Sequence, residues 1–191
     1  MFDQLTKRII KKMIIGGIVD SEEEEIYQYG LERLLVYSSL MLAILFISFL
    51  FNCLYLFPYI IFYFISLRSL LGGIHFDNEK KCFGISILYI VSVIIFYHSL
   101  MYTSVFGRKG IFSISMIQFF LTFYLPILDH PNKKINLSER KYFKVLINRV
   151  IFLQMVITVI CFFFKIDSFL YFSVAYYSFF YVSWILGLII K

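Results

Sequence analysis

Six long apolar runs separated by short polar or charged segments organise this chain. They cover about residues 34–56, 59–71, 84–106, 111–128, 145–164 and 168–190. A bilayer's hydrocarbon core, roughly 30 Å thick, is crossed by about 20 apolar residues in helical rise. Backbone inside lipid must also satisfy its own hydrogen bonds, which a helix does within one segment. The pattern therefore predicts an all-α polytopic membrane protein with about six apolar helical segments. Pro58 separates the first run from the second. The second is short for a full span unless it tilts or is re-entrant, which would leave four full crossings. Gly107-Arg108-Lys109-Gly110 reads as the turn that closes the third run, and Lys165-Ile166-Asp167 as a tight turn before the last.

Ahead of the first run, residues 1–15 have a different period. Leu5, Ile9 and Met13 fall on one helical face with Ile10 and Ile14 beside them, and Lys7, Lys11 and Lys12 lie mostly opposite. A basic amphipathic helix of this kind suits a membrane surface. Gly16-Gly17 ends it. Ser21 with Glu24 forms a capping-box pattern, and Glu22 to Glu25 occupy a first turn where the helix dipole favours acidic residues.

Charge then orients the spans. An even number of crossings puts both termini on one side. That side holds Lys7, Arg8, Lys11, Lys12, Arg33, Lys80, Lys81, Lys133, Lys134, Arg140, Lys141, Lys144 and Lys191. The other side holds only Arg108, Lys109 and Lys165. The positive-inside rule makes the richer side cytoplasmic, so both termini and both long polar loops, 72–83 and 129–144, are expected there.

Composition agrees. Of 191 residues, 61% are apolar and 16% charged, where soluble domains carry about a quarter charged. One membrane-embedded domain over 1–191 accounts for the length, and no signal-peptide pattern precedes it. The net charge of +6 sits between apolar runs, so topology and anionic headgroups explain it, and nothing suggests a nucleic-acid partner. Cys53 and Cys161 lie inside apolar runs and read as small buried hydrophobes. The odd count of 3 cysteines argues against a disulfide framework. Cys82 differs, because its neighbours are polar.

The chemistry concentrates in RSLLGGIHFDNEKKC, residues 68–82. A thiolate is the working form of a cysteine nucleophile, and a nearby imidazole can generate it. His75 is placed to take the Cys82 proton and to return it to a leaving amine. Gly72 and Gly73 allow close backbone approach and exposed N–H donors for an oxyanion; they equally suit a plain helix terminus. Arg68 suits a substrate carboxylate or developing negative charge, or snorkelling to headgroups. On one straight helix His75 and Cys82 would lie about 10 Å apart along the axis, too far for proton transfer. The chain must bend between them, and Asp77-Asn78 is the natural break. Capping there would put Cys82 early in the next helix, where the dipole favours a thiolate. A contact across a homodimer is the other way to close the gap. No metal or organic cofactor is indicated, since zinc wants about four ligands and the segment supplies fewer.

This segment resembles the signature of the AgrB family, the accessory gene regulator B proteins of Gram-positive bacteria. Arg68, Gly72, Gly73, His75 and Cys82 match that signature position by position, with Cys82 seven residues after His75. PILDHPNKKINLSERK, residues 126–141, resembles the family's basic loop, and the amphipathic N-terminus and IYQYGLERLL, residues 26–35, fit as well. The resemblance implies a cysteine endopeptidase of the bacterial cell membrane. Its partner would be a short AgrD-like propeptide whose C-terminal tail is removed and whose product is cyclised to a thiolactone or lactone quorum-sensing autoinducer. On that reading Cys82 is the nucleophile and His75 its base. Lys133, Lys134, Arg140 and Lys141 would attract the propeptide's acidic tail, though topology and headgroup contact account for them equally. Two rival classes stand beside it: a small peptide exporter and a non-enzymatic membrane scaffold. Neither needs Cys82.

Among other polar residues, Ser138 reads as a helix N-cap, His98 as a partner in an interhelical hydrogen bond, and Asn52 and Gln118 as glue between helices.

Overall fold

The computed structural model describes residues 3–71, 79–103, 106–127 and 136–189. Among these the chain is helical without strands. It forms α1 (Asp3–Ile15), a 3-10 turn at Ser21–Glu23, α2 (Glu24–Leu50), a second 3-10 turn at Leu54–Leu56, α3 (Phe57–Leu71), α4 (Glu79–Thr103), α5 (Gly107–Tyr124), α6 (Leu137–Phe163) and α7 (Asp167–Ile189).

Each apolar run contains a helix, but the helices differ in reach. Among the described residues, four stretches are long and apolar enough to cross a membrane: Ser21–Leu50, Lys81–Thr103, Ser138–Phe163 and Asp167–Ile189. The other two runs do not meet that standard. At about 1.5 Å per residue, α3 with 15 residues rises only about 22 Å, short of the roughly 30 Å core. Helix α5 begins on the charged pair Arg108-Lys109 and stops at Tyr124 because Pro126 follows. Leu125 is already extended (φ −65°, ψ 133°), as a residue before proline prefers. The six apolar segments are thus four long helices and two shorter ones among the described residues, in line with the four full crossings that the sequence left open.

Helix ends follow local chemistry. Gly17, Asn52 and Lys165 each hold a positive φ just past a helix, with paired backbone bonds such as Cys53 N–H to the Ser48 carbonyl, 2.8 Å, and Ile166 N–H to the Cys161 carbonyl, 2.9 Å. These close the last turns of α1, α2 and α6 in the left-handed C-terminal motif. Asn52 therefore ends a helix; it does not join two. Two other local expectations are corrected. Gly107 (φ 56°) opens α5, so the segment 107–110 is a helix start and no turn. The Ser21–Glu24 box does not form, because Asp20 leads into a 3-10 turn with no side-chain cap.

Helix α7 is the centre of the bundle. It packs against α3, α4, α5 and α6, and half of its apolar window (50%) is buried, against 17% for α2. Tyr63 of α3 meets Phe169, Phe172, Tyr176 and Tyr177 of α7 at ring distances of 5.4–5.9 Å. Edge-on and tilted aromatic packing of this kind adds to area burial. Polar side chains join the helices as well. Between α5 and α7, Ser115 meets Ser173 at 2.8 Å, Gln118 donates to Ser178 at 3.1 Å, and Thr122 lies 2.7 Å from the Tyr181 hydroxyl. Gln118 thus has the linking role its sequence position suggested. On the outside, Leu42, Leu45, Phe46 and Phe49 of α2 are exposed, a surface that suits lipid.

Helix α1 lies along α2. Its buried side is Thr6 and Ile10, while Leu5 stays 48% exposed, so the buried stripe is rotated from the one centred on Leu5, Ile9 and Met13.

Candidate active site

The cysteine motif straddles the end of α3 and the start of α4. Arg68 lies three residues before the last residue of α3, and Cys82 is the fourth residue of α4. Gly72, Gly73 and His75, as well as Lys133 and Lys134, lie outside the described residues. Cys82 thus sits early in its helix; Asp77 and Asn78, where a break was expected, also lie outside the described residues. The thiol is half-buried, beside the positive end of the α4 dipole. Its carbonyl accepts a hydrogen bond from Ser86 Oγ at 2.8 Å.

The relative height of the two motif halves follows from a ring contact. Phe64 of α3 meets Tyr89 of α4 at 6.2 Å, and the two helices run in opposite directions. Leu71 is seven residues beyond Phe64, and Cys82 is seven residues before Tyr89. Both therefore lie about 10 Å past that contact, at 1.5 Å per residue. The thiol is level with the point where α3 gives way to Gly72-Gly73. The core at this level is apolar: Leu67 and Leu71 are buried (1% and 0% exposed), as is Ile147 of α6 (0%). An apolar groove lined by Leu42, Leu45, Phe46, Phe49 and Leu54 lies toward the other end of α2, away from this site.

Helix α6 rises past the site. Gln154 of α6 bonds to Ser66 of α3 at 2.9 Å, which puts Arg149 level with Leu71. The preceding twelve residues of α6 then project about 18 Å beyond that level. Arg140, half-buried, and Lys141, exposed, stand about 13 Å beyond the thiol in height. The cap of this helix is Asn136, whose backbone N–H donates to Glu139 Oε2 at 3.1 Å; Ser138 is already inside the helix. Lys144 is committed elsewhere. Its ammonium donates to the Phe123 and Leu125 carbonyls at 2.7 and 2.8 Å, satisfying the last carbonyls of α5.

At the opposite end, Arg108 of α5 contacts the Phe162 carbonyl, sits over the Phe162 ring (4.9 Å), and pairs with Asp167 at 2.8 Å. It ties together the start of α5, the end of α6 and the start of α7. His98 is exposed and edge-on to Tyr97 at 5.1 Å. The interhelical bond there belongs to Tyr97, whose hydroxyl meets that of Tyr55 at 3.2 Å.

Sequence reasoning passed over Gln154. It is fully buried, and a lone Gln in an apolar run was a usable signal, because buried polar groups within membrane helices are rare and bonded.

A family model described as Accessory gene regulator B matches residues 3–190, nearly the whole chain. No curated protein and no solved structure matches it. With the motif's two halves level at one end of an apolar helical bundle, and the match running through all seven helices, the chain belongs to the AgrB family.

Proposed function

We propose that this chain is a membrane cysteine endopeptidase that removes the C-terminal tail of a short AgrD-like propeptide and promotes its cyclisation. The observation that carries the reading is the height of Cys82, level with the end of α3 and early in α4, at the two ends of the Gly72–Asn78 segment that holds His75. His75 takes the Cys82 proton, and the thiolate attacks the scissile carbonyl. N–H donors at Gly72-Gly73, with Arg68, stabilise the oxyanion. The C–N bond breaks, His75 returns its proton to the departing amine, and the peptide remains on Cys82 as a thioester. An internal Cys or Ser of the peptide then attacks that thioester and passes its proton, through His75, to the released Cys82. The outcome is a closed thiolactone or lactone. Ring closure competes with hydrolysis only where water is scarce, and the apolar surroundings of Leu67, Leu71 and Ile147 suit that need.

Lys133, Lys134, Arg140 and Lys141 attract the acidic tail. Arg140 and Lys141 stand about 13 Å beyond the thiol in height, which roughly four extended residues cover, so the tail's acidic side chains are expected at least about four residues past the scissile bond. The protein lies in a bacterial cell membrane with both termini cytoplasmic, α1 resting on the lipid surface and the propeptide arriving from the cytoplasm.

The test is co-expression with the short peptide encoded beside the gene, following peptide mass with the wild type, Cys82→Ala and His75→Ala. Tail loss that needs both residues supports the peptidase, and a further loss of one water from the trimmed peptide reports ring closure. An exporter or scaffold leaves the peptide uncut in all three.

A further inference from the structure

We infer that Gln154 is a positioning residue for the Arg68–Cys82 motif, acting through Ser66; the inference rests on the peptidase reading above. Gln154 is fully buried, 0% exposed, in the middle of α6. Its Nε2 donates to Ser66 Oγ of α3 at 2.9 Å. Its Oε1 accepts from the Tyr177 hydroxyl of α7 at 2.5 Å. Its carbonyl accepts from Thr158 Oγ1 at 2.7 Å. One side chain thus joins α3, α6 and α7 at a single level.

The position of that level gives the bond its consequence. Ser66 lies two residues before Arg68 and five before the end of α3, so the bond is about 8 Å below Leu71 along the helix. The rest of the α3 interface that is described is mostly apolar: Ile60, Phe64, Leu67 and Leu71 are buried, together with Tyr63, whose hydroxyl is the one other buried polar side-chain atom there. Between helices in a membrane the hydrophobic driving force is missing, so interhelical hydrogen bonds share with side-chain packing the task of fixing height and rotation. A hydrogen bond in that environment is directional and short-ranged. It helps fix how far α3 rises and which way it faces, and with that the height of the end of α3, including the backbone of Arg68, relative to Cys82. A misplacement of about 1 Å near a reacting centre can lower turnover about a hundredfold.

The experiment compares Gln154→Leu, Ser66→Ala, Ser66→Thr, Tyr177→Phe and the Gln154→Leu/Ser66→Ala double variant in vesicles, with the cognate propeptide. We expect kcat to fall about tenfold in Gln154→Leu and in Ser66→Ala at unchanged KM, with no further loss in the double variant, since both remove one contact. Ser66→Thr keeps the hydroxyl and stays within about twofold of wild type. Tyr177→Phe, which leaves the Gln154–Ser66 bond in place, retains more activity than Ser66→Ala. A second readout is the rate at which N-ethylmaleimide alkylates Cys82, resolved from Cys53 and Cys161 by peptide mass. Gln154→Leu and Ser66→Ala should shift it together, and Ser66→Thr should not. Unchanged kcat and alkylation in Ser66→Ala, multiplying losses in the double variant, or a Ser66→Thr as poor as Ser66→Ala would each overturn the assignment. If wild type cuts nothing, the peptidase reading fails, and the alkylation series still decides whether Gln154 positions the motif.

Discussion

On the proposed peptidase reading, the Cys82 thiol and the His75 imidazole have different tasks, and removing each has a different expected cost. Loss of the nucleophile leaves no covalent route. Cys82→Ala should therefore lower the rate of propeptide cleavage by at least about a thousandfold, measured by the appearance of free tail. Loss of the base leaves a thiol that still ionises in part. His75→Ala should cost about a hundredfold to ten-thousandfold, and its residual rate should rise with pH, because the thiolate then depends on solvent base. Both residues were proposed from residue type and motif match; the structure describes Cys82, and His75 lies outside the described residues. The need for a bend was legible too, since one straight helix cannot bring the pair together. The height of the thiol was not, because it depends on the Phe64–Tyr89 contact at 6.2 Å, and no spacing rule pairs two positions on different helices. Gln154 escaped for the same reason: its partners Ser66 and Tyr177 are 88 and 23 residues away.

At the scale of the element, strong local signals held and crowded ones slipped. Gly16-Gly17 ended α1, and Pro126 fixed the end of α5, because each acts through its own backbone geometry. The start of α6 moved from Ser138 to Asn136, since Asn and Ser both cap well and only Asn136 has Glu139 at the reciprocal position. Lys144 reads in sequence as one more loop cation, yet it holds two carbonyls of α5. Lys144→Met should lower the stability of the detergent-solubilised protein by about 2 kcal/mol, as for loss of hydrogen bonds to a charged group, seen as a lower unfolding midpoint. Lys141→Met, on an exposed side chain, should leave the midpoint unchanged. At the other end, the Arg108–Asp167 pair is partly solvated (28% and 44% exposed). Asp167→Asn should therefore cost less than about 1 kcal/mol. Arg108→Met should cost more, because it also removes the Phe162 carbonyl and ring contacts.

For the molecule as a whole, the runs of apolar residues disclosed an all-helical chain, and four helices among the described residues are long and apolar enough to cross a membrane, the smaller of the two numbers the sequence left open. Length in an apolar run includes residues that turn, cap or form 3-10 helix, as around Cys53 and Pro58, and only the helical part counts toward a span. Orientation rests on basic residues clustered at the motif's end of the bundle. In a Cys82→Ser background, a cysteine placed at Lys109 should react with a membrane-impermeant maleimide in intact cells. One placed at Lys141 should react only after permeabilisation. Reversal of that pattern would invert the topology and put the basic segment on the outer face. The central role of α7, buried on so many sides, means that loss of the Phe172 ring, as in Phe172→Ala, should disturb the whole bundle rather than the site alone.

The most direct measurement is a trap for the acyl-enzyme. The purified protein in vesicles is mixed with a propeptide whose internal ring-forming residue has been changed to Ala, quenched in acid, and weighed intact. The account predicts an adduct on Cys82 equal in mass to the propeptide without its tail, removed by neutral hydroxylamine and missing from Cys82→Ala. Tail release that continues in Cys82→Ala, with no adduct in the wild type, would contradict it.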